Sequence, residues 1–215
     1  MSWLSGEAFT VLGEHVRWAD MIGNLLGLGG LALGWRRSVW SWPVQLLSGA
    51  VLIAAYLGGH VPGLIGKQLI VIATAVWGWR QWQRGRRDTG AIAVRFAAWP
   101  ERAALLVGTL VGTVVLAEVF ETFHGLSWSP WSDAYIFVGT LAAMVAQARG
   151  WLEFWFAWIA VDAVGVPLAF NSGYTFSGLT YSVYFVLVLL GLRSWWLSSR
   201  EPRATSANVP QGVTA

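Results

Sequence analysis

A carboxylate and two indoles occur together in one of the most apolar stretches of the chain, WLEFWFAWIAVDAVGVPLAF at 151–170. Trp155, Trp158 and Asp162 are spaced i, i+3 and i+7, which places them within a ~60° arc of one helix face. Such a face suits a flat ligand that stacks on aromatic rings and donates hydroxyl or N–H groups to the carboxylate. In the alternative interpretation, Asp162 hydrogen-bonds to a neighbouring helix while the indoles pack.

Further polar or aromatic residues at membrane depth extend this candidate site. Trp42 and Gln45, in WSWPVQLLSG, repeat the spacing of Trp155 and Trp158. For Gln68, Tyr181 and Asn171, a pocket role and a packing role are equal alternatives. The predicted substrate-binding set is therefore Trp42, Gln45, Gln68, Trp155, Trp158, Asp162, Asn171, Tyr181 and Tyr184.

The residue inventory does not favour catalysis. The chain has no Cys and only three His, which are scattered, and it contains no Walker, Ser-His-Asp or metal-binding motif. We therefore predict a protein that is not an enzyme and that uses no cofactor and no metal.

Composition places these residues in a membrane. Of the 215 residues, 56% are hydrophobic and 12% are charged, about half of the roughly 25% charged residues of soluble domains. Mean hydropathy is +0.55. Spans of about 20 apolar residues are predicted at 18–35, 39–58, 64–82, 103–121, 133–149, 151–170 and 177–197.

The distribution of basic residues predicts the orientation. With the N-terminus outside and the C-terminus inside, 12 of the 14 Lys and Arg residues are cytoplasmic, and Arg17 and Lys67 are the exceptions. The net charge of +3 therefore reflects membrane topology, and no nucleic-acid partner is predicted. Outside the spans we predict an external interfacial segment at 1–17, a basic cytoplasmic loop at 83–102, an external loop at 122–132 and a disordered cytoplasmic tail at 198–215.

An offset of 113 residues aligns residues 18–82 with residues 133–197. Both segments contain W-x-D, an Arg between the first two spans, and G-x-R-x-W near the end of the third. The helix at 103–121 connects them, so that the two triple-helix units have the same orientation. The fold class predicted is an all-α membrane protein with a 3+1+3 parallel repeat, an architecture typical of transporters with a substrate site near the midplane.

The motifs WPVQ at 42–45, EFWFAWIAVDAVGVPL at 153–168, NSGY at 171–174 and YSVY at 181–184 resemble the PnuC family of vitamin transporters. The likeness is greatest to its RibM-type riboflavin transporters. The resemblance implies a fold related to the SWEET carriers and facilitated diffusion that is drawn inward by cytoplasmic phosphorylation of the vitamin. The family's Trp-x-x-Trp-x-x-x-Asp ligand-binding pattern falls on Trp155, Trp158 and Asp162, with Asn171 and Tyr181 as further candidates.

The resulting hypothesis is a riboflavin uniporter that works beside a cytoplasmic riboflavin kinase, with or without assembly into a homo-oligomer. Its ligand stacks between Trp155 and Trp158, and the ribityl hydroxyls bond to Asp162 and Asn171. Nicotinamide riboside and thiamine are alternative substrates. Competing hypotheses are proton symport through Asp162, a membrane enzyme with Asp162 or Glu153 as acid or base, and a vitamin-binding subunit that does not transport.

Overall fold

The computed structural model describes residues 6–11, 14–59, 62–89, 92–123, 126–127, 129–171 and 175–200. The predicted tail beyond residue 200 lies outside these ranges, as do residues 1–5 of the predicted interfacial segment. Seven helices form the body of the molecule: α1 Trp18–Trp35, α2 Ser41–Gly59, α3 Pro62–Thr89, α4 Trp99–Thr122, α5 Pro130–Ala148, α6 Glu153–Asn171 and α7 Thr175–Arg200. The prediction of a helical fold with seven helices is confirmed, and each helix overlaps one predicted span.

Helix boundaries follow local chemistry. Pro100 and Pro130 occupy the first turns of α4 and α5, where a missing N–H group is tolerated. The backbone N–H of Ala98 donates to the Glu101 carboxylate at 2.7 Å, which satisfies a donor at the start of α4. Between the helix ends, each apolar stretch forms a helix because a membrane offers backbone groups no other hydrogen-bond partners.

The predicted interfacial segment at 1–17 contains two short strands. Glu7–Val11 (β1) and Glu14–Arg17 (β2) form an antiparallel hairpin. The hairpin is anchored by Val16, which is 3% exposed.

The predicted basic loop at 83–102 is shorter in the structure. Its first residues continue α3 to Thr89, because Gln and Arg are good helix formers and the span needs no break where it leaves the apolar layer. Residues near Arg95 then dock on the turn between α5 and α6. The N–H of Arg95 donates to the carbonyl of Gly150 at 3.0 Å, and the N–H of Leu152 donates to the carbonyl of Arg95 at 2.9 Å.

Side chains strengthen this docking. The Arg102 guanidinium pairs with the Glu153 carboxylate at 2.7 Å, and the other Glu153 oxygen accepts the N–H of Ala97 at 2.9 Å. Arg95 pairs with Glu101 at 2.7 Å, and the hydrogen bond to that carboxylate raises the pKa of Arg95. Glu153, which the sequence also offered as an acid or base, thus has a structural role.

Helix packing links the two ends of the chain. Sequential helices pack pairwise within 18–89 and within 130–200, α3 packs on α5, and α1 packs on α7. Helix α4 packs on α5 and exposes a long apolar face that includes Leu106, Leu110 and Val115. Such a face is suited to lipid contact.

Three helices contain a stretch that is long and apolar enough to cross a membrane, as judged over the described residues: Trp99–Thr122, Glu153–Asn171 and Gly178–Leu197. Helices α1 and α2 contribute the shorter apolar stretches Met21–Trp35 and Ser41–Ala54. In helix α5, small residues that include Ala134, Gly139 and Ala143 are buried. Small residues of this kind allow close helix contact inside a membrane.

Candidate functional site

A cavity of about 500 Å³ lies between α1, α2, α3, α5, α6 and α7. This volume is within the range of roughly 300–1,000 Å³ that holds small molecules and cofactors. Its wall combines aromatic and aliphatic surface with separated polar groups. The polar lining residues are Asn24, Gln45, Ser48, Gln68, Thr140, Asp162, Tyr181 and Tyr184.

Asp162 is the acidic residue of this wall. Its side chain is only 6% exposed, and its Oδ2 atom has no hydrogen-bond donor among the described residues. A buried oxygen without a donor carries an uncompensated desolvation cost. A donor group from a bound ligand would offset this cost.

Tyr184 closes one side of the cavity by reaching across from α7 to α1. Its hydroxyl donates to the backbone carbonyl of Asn24 at 2.8 Å. A side chain at Gly27 would collide with that hydroxyl, so Gly27 is the residue that makes the approach feasible. Nearby, the hydroxyl of Ser48 donates to the carbonyl of Gly23 at 3.3 Å, which joins α2 to α1.

The amide groups of Gln45 and Gln68 approach the cavity from α2 and α3. The Gln45 amide donates to the side-chain oxygen of Gln147 on α5 at 3.4 Å. Gly49 makes room for Gln68, because a Cβ at residue 49 would lie 2.8 Å from the Gln68 Nε2 atom. Both amides combine donor and acceptor groups that can bind a polar ring edge.

Trp155 and Trp42 do not line the cavity, which corrects the predicted stacking of a ligand between Trp155 and Trp158. Both indoles are 0% exposed. The Trp155 ring fills a slot opposite Gly191 on α7, and the Trp42 ring fills a slot opposite Gly78 on α3. Because neither glycine has a side chain, each indole turns into the neighbouring helix instead of into the cavity.

These two tryptophans form a buried layer with two others. Trp42 meets Trp82 edge to face at 5.5 Å between ring centroids, and Trp155 meets Trp195 edge to face at 5.6 Å. The indole N–H of Trp82 donates to the carbonyl of Gln147 at 2.8 Å, whereas that of Trp195 donates to the carbonyl of Trp35 at 3.0 Å. We call Trp42, Trp82, Trp155 and Trp195 the tryptophan layer.

The remaining predicted residues divide as follows. Trp158, Tyr181, Gln45 and Gln68 line the cavity with Asp162 and Tyr184, whereas Asn171 is exposed at the C-terminal end of α6 and is not part of the lining. Sequence reasoning missed Asn24, Thr140, Met144 and Phe154, which also line it. Asn24 could have been found as the one amide in the apolar segment MIGNLLGLGG.

The lining follows the 113-residue offset found in the sequence. Nine lining residues belong to α1–α3, and for eight of them the residue 113 positions later also lines the cavity. Only Asn24 lacks such a counterpart. The eight pairs are Gly23 and Ile136, Gly27 and Thr140, Leu31 and Met144, Gln45 and Trp158, Ser48 and Val161, Leu52 and Gly165, Gln68 and Tyr181, and Val71 and Tyr184.

Comparisons with known proteins identify the family of this chain. The family model described as nicotinamide mononucleotide transporter matches residues 17–197. The riboflavin/roseoflavin transporter RibM of Streptomyces davaonensis is 56% identical over 203 residues, which cover 94% of this chain and 95% of that protein. The nicotinamide riboside transporter PnuC of Escherichia coli is 20% identical over 213 residues and 88% of this chain.

A solved structure supports the same fold. The crystal structure of the vitamin B3 transporter PnuC matches with a TM-score of 0.67 at 17% identity and covers 85% of this chain and 82% of that one. The matched relatives are transporters, not enzymes. The chain therefore belongs to the PnuC family of transporters and is a multi-pass membrane protein.

Proposed function

We propose that this protein takes up riboflavin across the cytoplasmic membrane. The observation that carries the proposal is the 56% identity to a riboflavin/roseoflavin transporter over 94% of this chain. The cavity supports it, because its volume and its mixed aromatic and polar wall suit a flat heteroaromatic vitamin with a polyhydroxyl chain.

In the proposed binding mode, the flavin ring stacks on Trp158, and Phe154 and Met144 supply further apolar contact. The pyrimidinedione edge of the ring carries an N–H donor between two carbonyl acceptors, which the amides of Gln45 and Gln68 can complement. The ribityl hydroxyls donate to Asp162, whose buried Oδ2 atom has no donor in the described part of the protein. Tyr181 and Tyr184 complete the wall of this proposed site, and Trp42, Trp155 and Asn171 lie outside it.

We further propose that α1–α3 and α5–α7 are parallel repeats of a 3+1+3 plan related to the SWEET carriers. Three observations support this plan: the offset pairs of the cavity, the equivalent tryptophan contacts, and the packing of the third helix of each unit on the first helix of the other. The repeats would rock against one another to give alternating access. The hydrogen bonds from Trp82 to Gln147 and from Trp195 to Trp35 join the units and would break when the layer opens.

The proposed orientation has the N-terminus outside and the C-terminus inside. Arginines lie at the same end of the bundle as the tryptophan layer. Examples are Arg36 after α1 and Arg149 after α5. Retention of basic residues on the cytoplasmic side then makes that end cytoplasmic. The layer would separate the cavity from the cytoplasm in the conformation described.

Transport would be uniport, with net uptake maintained by a cytoplasmic kinase that phosphorylates riboflavin. Proton symport is the second candidate mechanism, because a buried carboxyl oxygen without a donor is typical of a proton-carrying group. Uptake into kinase-free vesicles decides between them. Uniport predicts uptake that a protonophore leaves unchanged, and symport predicts accumulation that a protonophore abolishes.

Counterflow in proteoliposomes tests the proposed function. Vesicles preloaded with riboflavin should show saturable uptake of labelled riboflavin, which excess riboflavin inhibits more strongly than nicotinamide riboside or thiamine does. Binding without counterflow would identify a vitamin-binding subunit, and preference for another vitamin would contradict the substrate assignment. Trp158→Ala should weaken counterflow, whereas the matched control Trp99→Ala, at a residue that is 79% exposed and does not line the cavity, should not.

A further inference from the structure

A second cavity, of about 460 Å³, lies where α3 passes from apolar to basic sequence. Helix α3 contributes Trp79, Gln83, Arg86 and Arg87 to it. These residues are spaced i, i+4, i+7 and i+8 and therefore share one face of the helix. No residue of this second cavity lines the first one, so the two cavities are separate.

The opposite wall comes from the turn between α1 and α2 and from the first residues of α2. It consists of Val39, Trp40 and Pro43. Trp40 is 67% exposed, which is typical of an indole at the boundary between lipid and water. The cavity thus has two aromatic side chains and two apolar side chains beside two guanidinium groups.

The charges in this cavity are not balanced within the described residues. Arg86 and Arg87 are exposed, and the salt bridges found among the described side chains involve Arg95 and Arg102 instead. Two adjacent guanidinium groups match the oxygens of a phosphate through paired N–H donors. The site therefore suits an anionic phosphate that is attached to an apolar body.

We propose that this second cavity binds the headgroup phosphate of an anionic phospholipid from the leaflet at the basic end of the bundle. Arg86 and Arg87 hold the phosphate, and Gln83 bonds the polar part of the headgroup. The tryptophans and Val39 contact the glycerol backbone and the start of the acyl chains. A lipid fits better than a soluble phosphate because the cavity has apolar surface beside its arginines. This surface lies toward the apolar segment of α3, where the acyl chains of a lipid would extend.

Lipid titration of the purified, delipidated protein tests this inference, with native mass spectrometry to count bound lipids. Phosphatidylglycerol should bind on the order of ten-fold more tightly than phosphatidylcholine. Arg86→Gln combined with Arg87→Gln should remove about ten-fold of the phosphatidylglycerol affinity. The matched control Arg80→Gln with Arg84→Gln removes the same charge from the same helix outside the cavity and should change that affinity by less than about three-fold.

Three results would overturn the proposal: equal affinity for the two lipids, equal losses in the two double variants, or displacement of bound phosphatidylglycerol by equimolar inorganic phosphate or flavin mononucleotide. The last result would identify a site for soluble phosphates. Trp40→Leu provides a test that leaves charge unchanged and should also weaken phosphatidylglycerol binding. Gel filtration and riboflavin binding distinguish loss of the lipid site from loss of the fold, because neither double variant touches the first cavity.

Discussion

The two halves of the molecule, α1–α3 and α5–α7, are alike in the tryptophan layer and different in the cavity. In the layer, Trp42, Gly78 and Trp82 of the first half have the identical residues Trp155, Gly191 and Trp195 in the second, with nearly the same ring geometry. In the cavity, none of the eight equivalent pairs is identical.

This difference separates residues that stabilise the fold from residues of the proposed binding site. A buried indole in a glycine slot tolerates little change. A smaller residue in place of the indole would leave a void, and a larger residue in place of the glycine would collide with the ring. The cavity wall is free to diverge: the second half contributes Trp158, Tyr181 and Tyr184 where the first half has Gln45, Gln68 and Val71. Asp162 corresponds to Gly49, so that the acidic group is present on one side only. A cavity with an aromatic, acidic side and an amide side suits an asymmetric ligand.

The largest effect is expected in the layer. Trp42→Ala and Trp155→Ala should each lower the free energy of unfolding by about 3–5 kcal/mol, because each empties a fully buried slot. Equilibrium unfolding in mixed micelles measures the loss, with the exposed Trp99→Ala as the control. A large loss in one half and none in the other would contradict the equivalence of the two slots.

The next largest effect is expected on the acidic side of the cavity, where a substitution should weaken riboflavin binding more than one on the amide side does. Asp162→Asn keeps the shape of the side chain but removes its charge, and we expect it to weaken riboflavin binding by about 1.5–3 kcal/mol, the value of a hydrogen bond to a charged group. Gln68→Leu on the opposite side should cost about 0.5–1.5 kcal/mol. Quenching of flavin fluorescence measures both affinities, and an unchanged affinity in Asp162→Asn would remove Asp162 from the proposed site.

A smaller loss of riboflavin affinity is expected for the equivalent pair Gln45 and Trp158, and it should differ between the two residues. Trp158→Ala should weaken riboflavin binding by about 1–2 kcal/mol through lost stacking, and Trp158→Phe should recover part of it. Gln45→Ala should cost about 1 kcal/mol or less. Calorimetric titration measures both, and a larger loss in Gln45→Ala would place the flavin ring nearer to the first half.

The smallest effect concerns one of the hydrogen bonds between the halves, from Tyr184 to Asn24. Tyr184→Phe removes the donor to the Asn24 carbonyl and should destabilise the protein by about 0.5–1.5 kcal/mol. A thermal shift in detergent measures this change. A melting temperature equal to that of the unmodified protein would mean that water replaces the hydroxyl at Asn24.

Much of the helical fold could be predicted because hydropathy changes abruptly at the helix ends. The first predicted span, 18–35, coincides with α1. The predicted end of α3 is too early, since helix propensity continues through Arg86 and Arg87 after the apolar residues end. The hairpin of β1 and β2 could not be predicted because short strands give only a weak alternating pattern.

The sequence by itself determined the membrane class, the number and approximate positions of the helices, the internal offset and the presence of Trp158 and Asp162 on one helix face. These features depend on composition and on helical periodicity. Only the tertiary structure decided that Trp155 belongs to the buried layer and Trp158 to the cavity. Helical spacing places both on the same side of α6, and the choice between them depends on a partner that is distant in sequence. That partner is Gly191, whose missing side chain accepts the Trp155 ring. The same limit applied to Thr140 and Met144, which become cavity residues only when α5 packs beside α6.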